Sequence, residues 1–406
     1  MSVPKLGRVV SLVVAGALIV PVVAGGAWAG TLTPKGTASV SKQLAELKGP
    51  DSQPDQDFGA SVDISGTTIA IGADTYHTPA MGYVFSHSAD GWGPAAGLTV
   101  PDFVTHGDFS SSPVVSGSTA VVGQVFADAD GAGLVWVFAK AGSGWEETAE
   151  LKSPDRVMGA DFGGAVAVAT GVIVVGSQAT DGNTGKVYIY DRAGAGWQET
   201  AELRASNGKS EDEFGGAVAI SGTTIVVGAP GCDSEAGRVY VFKKSAAGWH
   251  QTAELKGSDT VGSPSPGSGD QFGASVGISG ATIVVGAEEH NYLEGAAYVF
   301  SESPTGWHQI VELKGADTAS GDAFGAAVGI SGTTIVVGAY NHNHFAGAAY
   351  VFTLSPTGWR QVAELKGQDT VANDYFGRAV AISGTGVVVG AEGHAHNSGR
   401  VYVFRV

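Results

Sequence analysis

Histidine side chains in this 406-residue chain are concentrated in one kind of loop, where three of the eleven tyrosines also lie. Six of the ten histidines lie there, each a few residues after a short strand-like run. The candidate residues are Tyr76, His77, His290, Tyr292, Tyr340, His342, His344, His394 and His396. Imidazole and phenol groups donate and accept hydrogen bonds and present ring faces to a ligand. Their clustering predicts a ligand-binding surface, provided that the fold brings the loops together.

The sequence alone leaves three uses of these histidines open. The first is a contact surface for a glycan or protein, and the second is metal binding or catalysis. The third is that they are solvated residues that were duplicated together with their loops. The pattern His-x-His, which begins at His342 and again at His394, would place two imidazoles on one side of an extended segment. Neither a His-Glu-x-x-His motif nor a cysteine pair accompanies it. We therefore assign no catalytic residue and no metal ligand.

The loops belong to a repeat, and a clear copy of it runs from Glu213 to Lys256. Its landmarks are Phe-Gly, Val-Gly-Ala, Val-Tyr-Val-Phe and Gly-Trp. The landmark phenylalanine recurs at intervals near 50 residues, at Phe58, Phe109, Phe162, Phe214, Phe272, Phe324 and Phe376. Each copy has room for four short strands and for no long helix. This period predicts an all-β fold, a seven-bladed β-propeller of four-stranded antiparallel blades.

The two ends of the chain complement each other. The segment from Gln43 to Lys48 matches the fourth strand of the repeat but precedes the first Phe-Gly, and the sequence stops after a third strand at Val406. We expect the N-terminal strand to complete the last blade and thereby remove an open sheet edge. Blade 7 then adjoins blade 1, and the histidine loops of blades 5, 6, 7 and 1 form one arc on one face.

Three segments are predicted along the chain. Residues 1–29 have the pattern of a signal peptide, because Lys5 and Arg8 precede an apolar run that ends in small residues. Residues 30–40 are a polar linker, and residues 41–406 form the propeller. We expect a secreted, monomeric protein whose mature chain has no membrane anchor.

These landmarks resemble the FG-GAP repeat of integrin α-subunit N-terminal propellers and of many exported bacterial proteins. Blade 4 contains both halves of the motif, Phe214-Gly215 and Gly228-Ala229-Pro230. The resemblance covers essentially the whole mature chain and implies ligand binding on the loop face. Integrin-type repeats often carry a calcium loop between the first two strands, but Ser221-Gly222-Thr223 occupies that turn here. Such a turn cannot supply the six to eight oxygens that calcium prefers.

Aspartates provide two further candidates. One lies within two residues before each landmark phenylalanine, and its presence in every blade favours hydrogen bonds to the turn backbone over an acidic ring that binds cations. Asp128 and Asp130 resemble half of a calcium loop but lack its later acidic ligands, which makes them a weak calcium candidate. We otherwise expect no cofactor.

The formal net charge is −17, from 22 basic and 39 acidic residues. This charge repels nucleic acid and anionic membranes, which argues against both as partners. The function favoured is an exported binding or adhesion propeller that recognises an extracellular glycan or a cell-surface protein. The alternative is a carbohydrate-active enzyme, such as a polysaccharide lyase, in which a loop His or Tyr removes a proton beside a uronate carboxylate.

Overall fold

The computed structural model describes residues 41–50, 54–73, 80–99, 112–125, 131–263, 265 and 267–406. They form seven antiparallel sheets. The innermost strands of neighbouring sheets contact one another in a closed cycle. The protein is therefore a seven-bladed β-propeller, as the repeat predicts.

The first three blades show the pattern and one variation on it. Blade 1 has strands Val62–Ser65, Thr68–Ile71, Ala80–Ser88, Gly91–Trp92 and Ala96–Thr99. Blade 2 has strands Ser112–Ser116, Thr119–Gln124, Leu134–Ala141 and Gly144–Lys152. Blade 3 has strands Phe162–Ala169, Val172–Ser177, Lys186–Ala193 and Gly196–Leu203. The outermost strand of blade 1 is divided in two around Pro94, which has no amide hydrogen to donate.

The remaining blades are close copies. Blade 4 has strands Ala217–Ser221, Thr224–Ala229, Arg238–Ser245 and Gly248–Leu255. Blade 5 has strands Ser275–Ser279, Thr282–Ala287, Ala296–Ser303 and Gly306–Leu313. Blade 6 has strands Val328–Ser331, Thr334–Ala339, Ala348–Ser355 and Gly358–Leu365. Blade 7 has strands Val380–Ser383, Gly386–Ala391, Arg400–Arg405 and the N-terminal Lys42–Leu47.

The N-terminal strand completes blade 7. It runs antiparallel to Arg400–Arg405, with Leu47 opposite Val401. The Nε atom of Arg400 lies 3.0 Å from Oε1 of Glu46 and joins the two strands a second time. The predicted closure of the ring by the two ends of the chain is confirmed.

The two glycine landmarks meet where neighbouring blades touch. A Cβ atom added to Gly286, in the Val-Gly-Ala of blade 5, would lie 1.9 Å from the carbonyl oxygen of Gly325, in the Phe-Gly of blade 6. Gly325 itself has a φ of 96°, which side chains disfavour. Both positions therefore require glycine, which explains why the two landmarks recur together.

The hydrophobic core lies between blades. Val284 and Val299 of blade 5 belong to one buried cluster with Phe324 and Val328 of blade 6. The landmark ring of Phe324 packs at 5.5 Å from that of Tyr350. Each blade is therefore stabilised chiefly by apolar surface that it shares with its neighbours.

One short helical turn joins the second and third strands in each of blades 3 to 7. The turns are Thr180–Asn183, Cys232–Glu235, His290–Leu293, His342–Phe345 and His394–Asn397. Within the described part of the chain, no helix has the length and apolar character needed to span a bilayer. These five turns carry most of the predicted site residues.

Candidate functional site

The five turns are wound in the left-handed sense. In blade 5, Asn291, Tyr292 and Leu293 have φ angles of 53°, 61° and 63°. The same positions in the other four turns have φ angles between 52° and 68°. Left-handed helical backbone costs about 1–2 kcal/mol for each residue other than glycine. Such a turn persists only where contacts elsewhere hold it.

Those contacts come from the next blade. The carbonyl oxygen of Leu293 accepts a hydrogen bond from the amide of Ala323, with an N···O distance of 2.7 Å. The equivalent bond of blade 6 runs from the amide of Tyr375 to Phe345, at 2.8 Å. The left-handed winding aims these carbonyl groups at the segment that enters the next blade. The turns of blades 3, 4 and 7 make the same backbone bond. In these bonds the amides of Glu213, Gln271 and Asp57 donate to the carbonyl oxygens of Asn183, Glu235 and Asn397, respectively.

The first histidine of each turn in blades 5 to 7 points inward. His290 is buried, and its Nδ1 lies 2.9 Å from Oδ2 of Asp270. His342 and His394 make the same bond, to Asp322 at 2.9 Å and to Asp374 at 2.8 Å. These three histidines therefore anchor the base of the turn and are not freely solvated.

In blades 4 to 7 the aspartate two residues before the landmark phenylalanine accepts a hydrogen bond from the backbone of the loop that precedes it, as predicted. Asp270 accepts from the amide of Val261 at 2.7 Å, and Asp322 from the amide of Ala319 at 2.8 Å. In blades 5 to 7 this aspartate has a second role, since it also fixes the imidazole. The sequence prediction did not anticipate that pairing.

The second group of predicted residues lies at the outer tip of the turns. His344, His396 and Tyr292 are exposed, and 85% of the surface of Tyr292 is accessible. The His-x-His spacing would allow two imidazoles on one side of an extended segment, but here the segment is a left-handed turn and the two imidazoles point different ways. One imidazole of each pair faces the base and the other faces solvent.

Tyr340 lies apart from these tips. Its ring is 6.4 Å from that of Tyr375, and the guanidinium group of Arg378 lies 5.0 Å from its centroid. Burial raises the pKa of Tyr340 to about 12. Tyr375 in turn packs against Phe345, with ring centroids 5.7 Å apart. Tyr340 therefore reaches the turn of blade 6 only through Tyr375.

Four predicted residues fall outside the described part of the chain. Tyr76 and His77, in the corresponding loop of blade 1, are two of them. The weak calcium candidates Asp128 and Asp130 are the others. Those predictions stand as they were made from the sequence.

Sequence reasoning missed an acidic group beneath each histidine. Nε2 of His290 faces Oδ2 of Asp259 at 3.8 Å, and Glu312 on the outermost strand lies close to both. The hydroxyl of the buried Tyr298 donates to Oδ1 of Asp259 at 2.9 Å. Blade 6 repeats the group with His342, Asp317, Glu364 and Tyr350. The aspartate could have been found from Lys-Gly-x-Asp-Thr, which blades 5 to 7 share.

Blades 3 and 4 keep the turn and change the anchor. Thr180 takes the histidine position in blade 3, where its hydroxyl lies 2.7 Å from that of Ser177. Cys232 takes it in blade 4, with its sulfur 3.8 Å from the hydroxyl of Tyr240. Burial raises the pKa of the Cys232 thiol to about 11, so it is protonated at neutral pH and a poor nucleophile.

Comparison with known proteins gives one strong match. A sequence model described as the FG-GAP repeat matches residues 145–190, 197–242, 249–300, 307–352 and 359–404, more than half of the chain. Each matched segment begins at the tryptophan of a fourth strand and ends in the third strand of the next blade. All five segments therefore include one of the left-handed turns. No curated protein matches the chain.

One solved structure that aligns with the chain is the β-propeller domain of the trilobed protease from Pyrococcus furiosus. It is 11% identical, and the alignment covers 81% of this chain and 90% of that chain, with a TM-score of 0.49.

Proposed function

Because the chain belongs to the FG-GAP repeat family, we propose that it is an exported binding protein whose turn tips in blades 5 to 7 contact an extracellular glycan or protein. The signal-peptide pattern of residues 1–29 supports export. The contact residues are Tyr292, His344, Phe345 and His396, which we call the rim residues.

The observation that carries the proposal is the exposure of large side chains on unfavourable backbone. Tyr292 has 85% of its surface accessible and Phe345 has 43%, and both residues have left-handed φ angles. Folding gains little from the exposed ring of Tyr292 and only part of the possible gain from the half-buried ring of Phe345, while the left-handed conformation costs free energy at each position. Burial of these rings by a bound ligand would explain why large side chains occupy these unfavourable positions.

Blades 3 and 4 show that the turn itself does not need large side chains. Their tips carry Asp181, Gly182 and Asn183 in one case and Asp233, Ser234 and Glu235 in the other. The backbone is wound in the same way, and the bonds to the next blade are the same. The rings and imidazoles of blades 5 and 6 are therefore additions to a common support.

The support suits recognition because it is already ordered. The turn base is fixed by the bond between His342 and Asp322, and the turn end by the bond between Phe345 and Tyr375. Little conformational entropy remains to be lost when a ligand binds. Aromatic rings and imidazoles pack against apolar faces, and the imidazoles also exchange hydrogen bonds, as sugars and protein surfaces both require.

The test compares a rim variant with a matched control on the full secreted chain. The rim variant carries Tyr292→Ala, His344→Ala, Phe345→Ala and His396→Ala, and the control carries Asn183→Ala and Ser234→Ala at equivalent tips. Both are applied to an array of neutral and uronate-containing polysaccharides and to intact cells before and after protease treatment.

We expect the wild-type and control proteins to bind one class of target and the rim variant to lose at least tenfold in affinity. Retention on protease-treated cells identifies a glycan ligand, and its loss identifies a protein. Equal binding by the rim variant contradicts the proposed surface. Release of unsaturated uronate ends, followed by absorbance, would instead support the lyase alternative.

A further inference from the structure

We propose that blades 5 and 6 each bind one divalent transition-metal ion at the base of the left-handed turn. The ligands are Asp259, His290 and Glu312 in blade 5, and Asp317, His342 and Glu364 in blade 6. This inference concerns the base of the turns, away from the rim residues, and is independent of the ligand proposed for the rim residues.

The ligand atoms already converge. In each group one imidazole nitrogen and two carboxylate oxygens lie within 4.8 Å of one another. Nε2 of His290 is 3.8 Å from Oδ2 of Asp259, which is too long for a hydrogen bond. Zinc bonds to such atoms at about 2.0–2.2 Å, so one ion between them reaches both. The aspartates are exposed, which leaves a path from solvent.

The imidazole is oriented for ligation by its other nitrogen. Nδ1 of His290 lies 2.9 Å from buried Asp270, so an Nδ1–H that donates to this carboxylate leaves the lone pair on Nε2. Asp259 is held in turn by the hydroxyl of Tyr298 on its other oxygen. Metal sites in proteins commonly use a carboxylate behind the ligating histidine in this way. Blade 6 has the same arrangement through Asp322 and Tyr350.

The strongest support is a difference among blades at the first residue of the third strand. Blades 3, 4 and 7 have a cation there, and its nitrogen contacts the carboxylates at the turn base. The contacts are Lys186 to Asp155, Arg238 Nε to Glu254 at 3.2 Å, and Arg400 Nε to Glu46 at 3.0 Å. Blades 5 and 6 have buried Ala296 and Ala348 instead. Their acidic groups lack this built-in cation, and a metal ion would occupy its place.

Lysines on the outermost strands do not account for that difference. Lys314 lies 3.1 Å from Glu312, and Lys366 pairs with Glu364 at 2.6 Å. Blade 7 has the same lysine, Lys48, at 3.2 Å from Glu46, and still carries Arg400. These lysines are about half exposed and approach from the solvent side. The inner cation is thus a separate feature, present in three blades and replaced by alanine in two.

The ligand set indicates the class of metal. One imidazole and two carboxylates are typical of zinc and of neighbouring divalent transition metals, with remaining positions filled by water. Calcium and magnesium prefer an all-oxygen set. We therefore expect zinc to bind more tightly than calcium, and binding to fasten the turn of each blade to its outermost strand.

The experiment measures zinc bound to the full mature chain, prepared without a histidine tag and stripped with EDTA. Isothermal titration should give two ions per chain. Ala296→Arg, which copies blade 7 into blade 5, should leave one, and Ala296→Arg with Ala348→Arg should leave none. Melting curves check that each variant folds.

Glu312→Gln with Glu364→Gln is the second route, since these side chains are partly exposed and their loss should not unfold the blade. It should weaken zinc binding at least tenfold at both sites. The assignment would be contradicted if either the double arginine variant or the glutamine variant bound as much zinc as the wild type, or if the wild type bound none. Calcium binding as tight as zinc binding would contradict ligation by the imidazoles.

Discussion

Blades 3 and 5 share one left-handed turn but place different side chains beside the carboxylates at its base. In blade 3 the side chain of Lys186 is only 6% exposed and contacts Asp155, and this hydrogen bond lowers the pKa of Asp155 below its ordinary value. In blade 5 the same position is Ala296, and Asp259 faces His290. The backbone tolerates both solutions because the turn is held by hydrogen bonds to the next blade and not by the charges beneath it.

Blades 4 and 7 fall between these two cases. Blade 7 has both a histidine anchor and a cation, His394 and Arg400. Blade 4 has Arg238 without a histidine, and Cys232 stands in its place. The anchor and the cation therefore vary independently among copies of one repeat. Because the turn backbone stays the same while these two positions vary, the blades can acquire different functions at the base of the turn.

The largest expected effect comes from removing the N-terminal strand, which is the outermost strand of blade 7. A chain that begins at residue 49 lacks Glu46 and the buried Leu47, and it exposes the edge of Arg400–Arg405. Loss of Leu47 burial costs about 2–5 kcal/mol and each lost backbone hydrogen bond about 1 kcal/mol. We expect a much lower melting temperature and aggregation, measured by calorimetry and size-exclusion chromatography.

The control chain begins at residue 41 and keeps the strand. It should melt as the mature protein does and remain monomeric. If the chain that begins at residue 49 does the same, the N-terminal strand is not needed to complete blade 7.

The next largest effect concerns the cation of blade 3. Lys186→Ala leaves Asp155 and Glu202 without the ammonium group between them. Because both carboxylates are partly exposed and screened by water, we expect a cost of about 2 kcal/mol. The exposed Lys209→Ala is the control and should change the free energy of unfolding by less than about 0.5 kcal/mol. Urea denaturation at pH 7 measures both. A loss equal to that of the control would show that the blade 3 cation is dispensable.

The cost of Lys186→Ala should depend on pH. The folded-state pKa of Asp155 is lowered, so the stability gained from the pair is complete above its unfolded pKa, which is about 3.9. It is lost as the pH falls through the lower folded-state value. The difference between wild type and variant should therefore be constant from pH 7 to 5 and shrink below about pH 4.

The propeller, its seven blades and its closure followed from the sequence because each copy repeats the residues that make the contacts between blades. Gly286 and Gly325 touch, and Phe324 fills the space beside them, so their spacing specifies the fold locally. The position of the histidine turns of blades 5 to 7 at one end of the strands also followed, since strand order fixes which loops share a face, while the corresponding loop of blade 1 lies outside the described residues. These features need no knowledge of distant side chains.

The left-handed turns could not be predicted in the same way. A run of three left-handed residues without glycine, such as Asn343, His344 and Phe345, is disfavoured, and the bond that compensates comes from Tyr375 in the next blade. The inward histidine and its aspartate are likewise 20 residues apart in sequence. Comparing the first residue of the third strand among blades 3 to 7 would have shown that some blades have a cation there and others have alanine.

A smaller effect distinguishes the two kinds of anchor. His342→Ala removes a bond to the carboxylate of Asp322 and should cost about 2 kcal/mol. Cys232→Ala removes only a weak sulfur contact to Tyr240, whose hydroxyl still donates to Asn207 at 3.0 Å, and should cost at most about 1 kcal/mol. Unfolding in urea with EDTA present keeps any metal ion from contributing. Equal costs would mean that the histidines add nothing to the turn beyond what cysteine gives.

The smallest effect tests the tips, where blades 3 and 5 differ most in side-chain size. Gly182→Ala places a Cβ on backbone with φ of 67° and should destabilise the protein by about 1 kcal/mol. Tyr292→Gly relieves the same strain without removing burial, because the ring is exposed, and loses part of that gain to the greater freedom of the unfolded chain. It should stabilise the protein by about 0.5–1 kcal/mol, measured by urea denaturation in parallel with Gly182→Ala. If Tyr292→Gly destabilises the protein instead, the ring contributes to folding, and its exposure no longer supports a role in binding. If it stabilises the protein while ligand binding falls, the tyrosine is retained at the expense of stability, as expected for a residue selected for recognition.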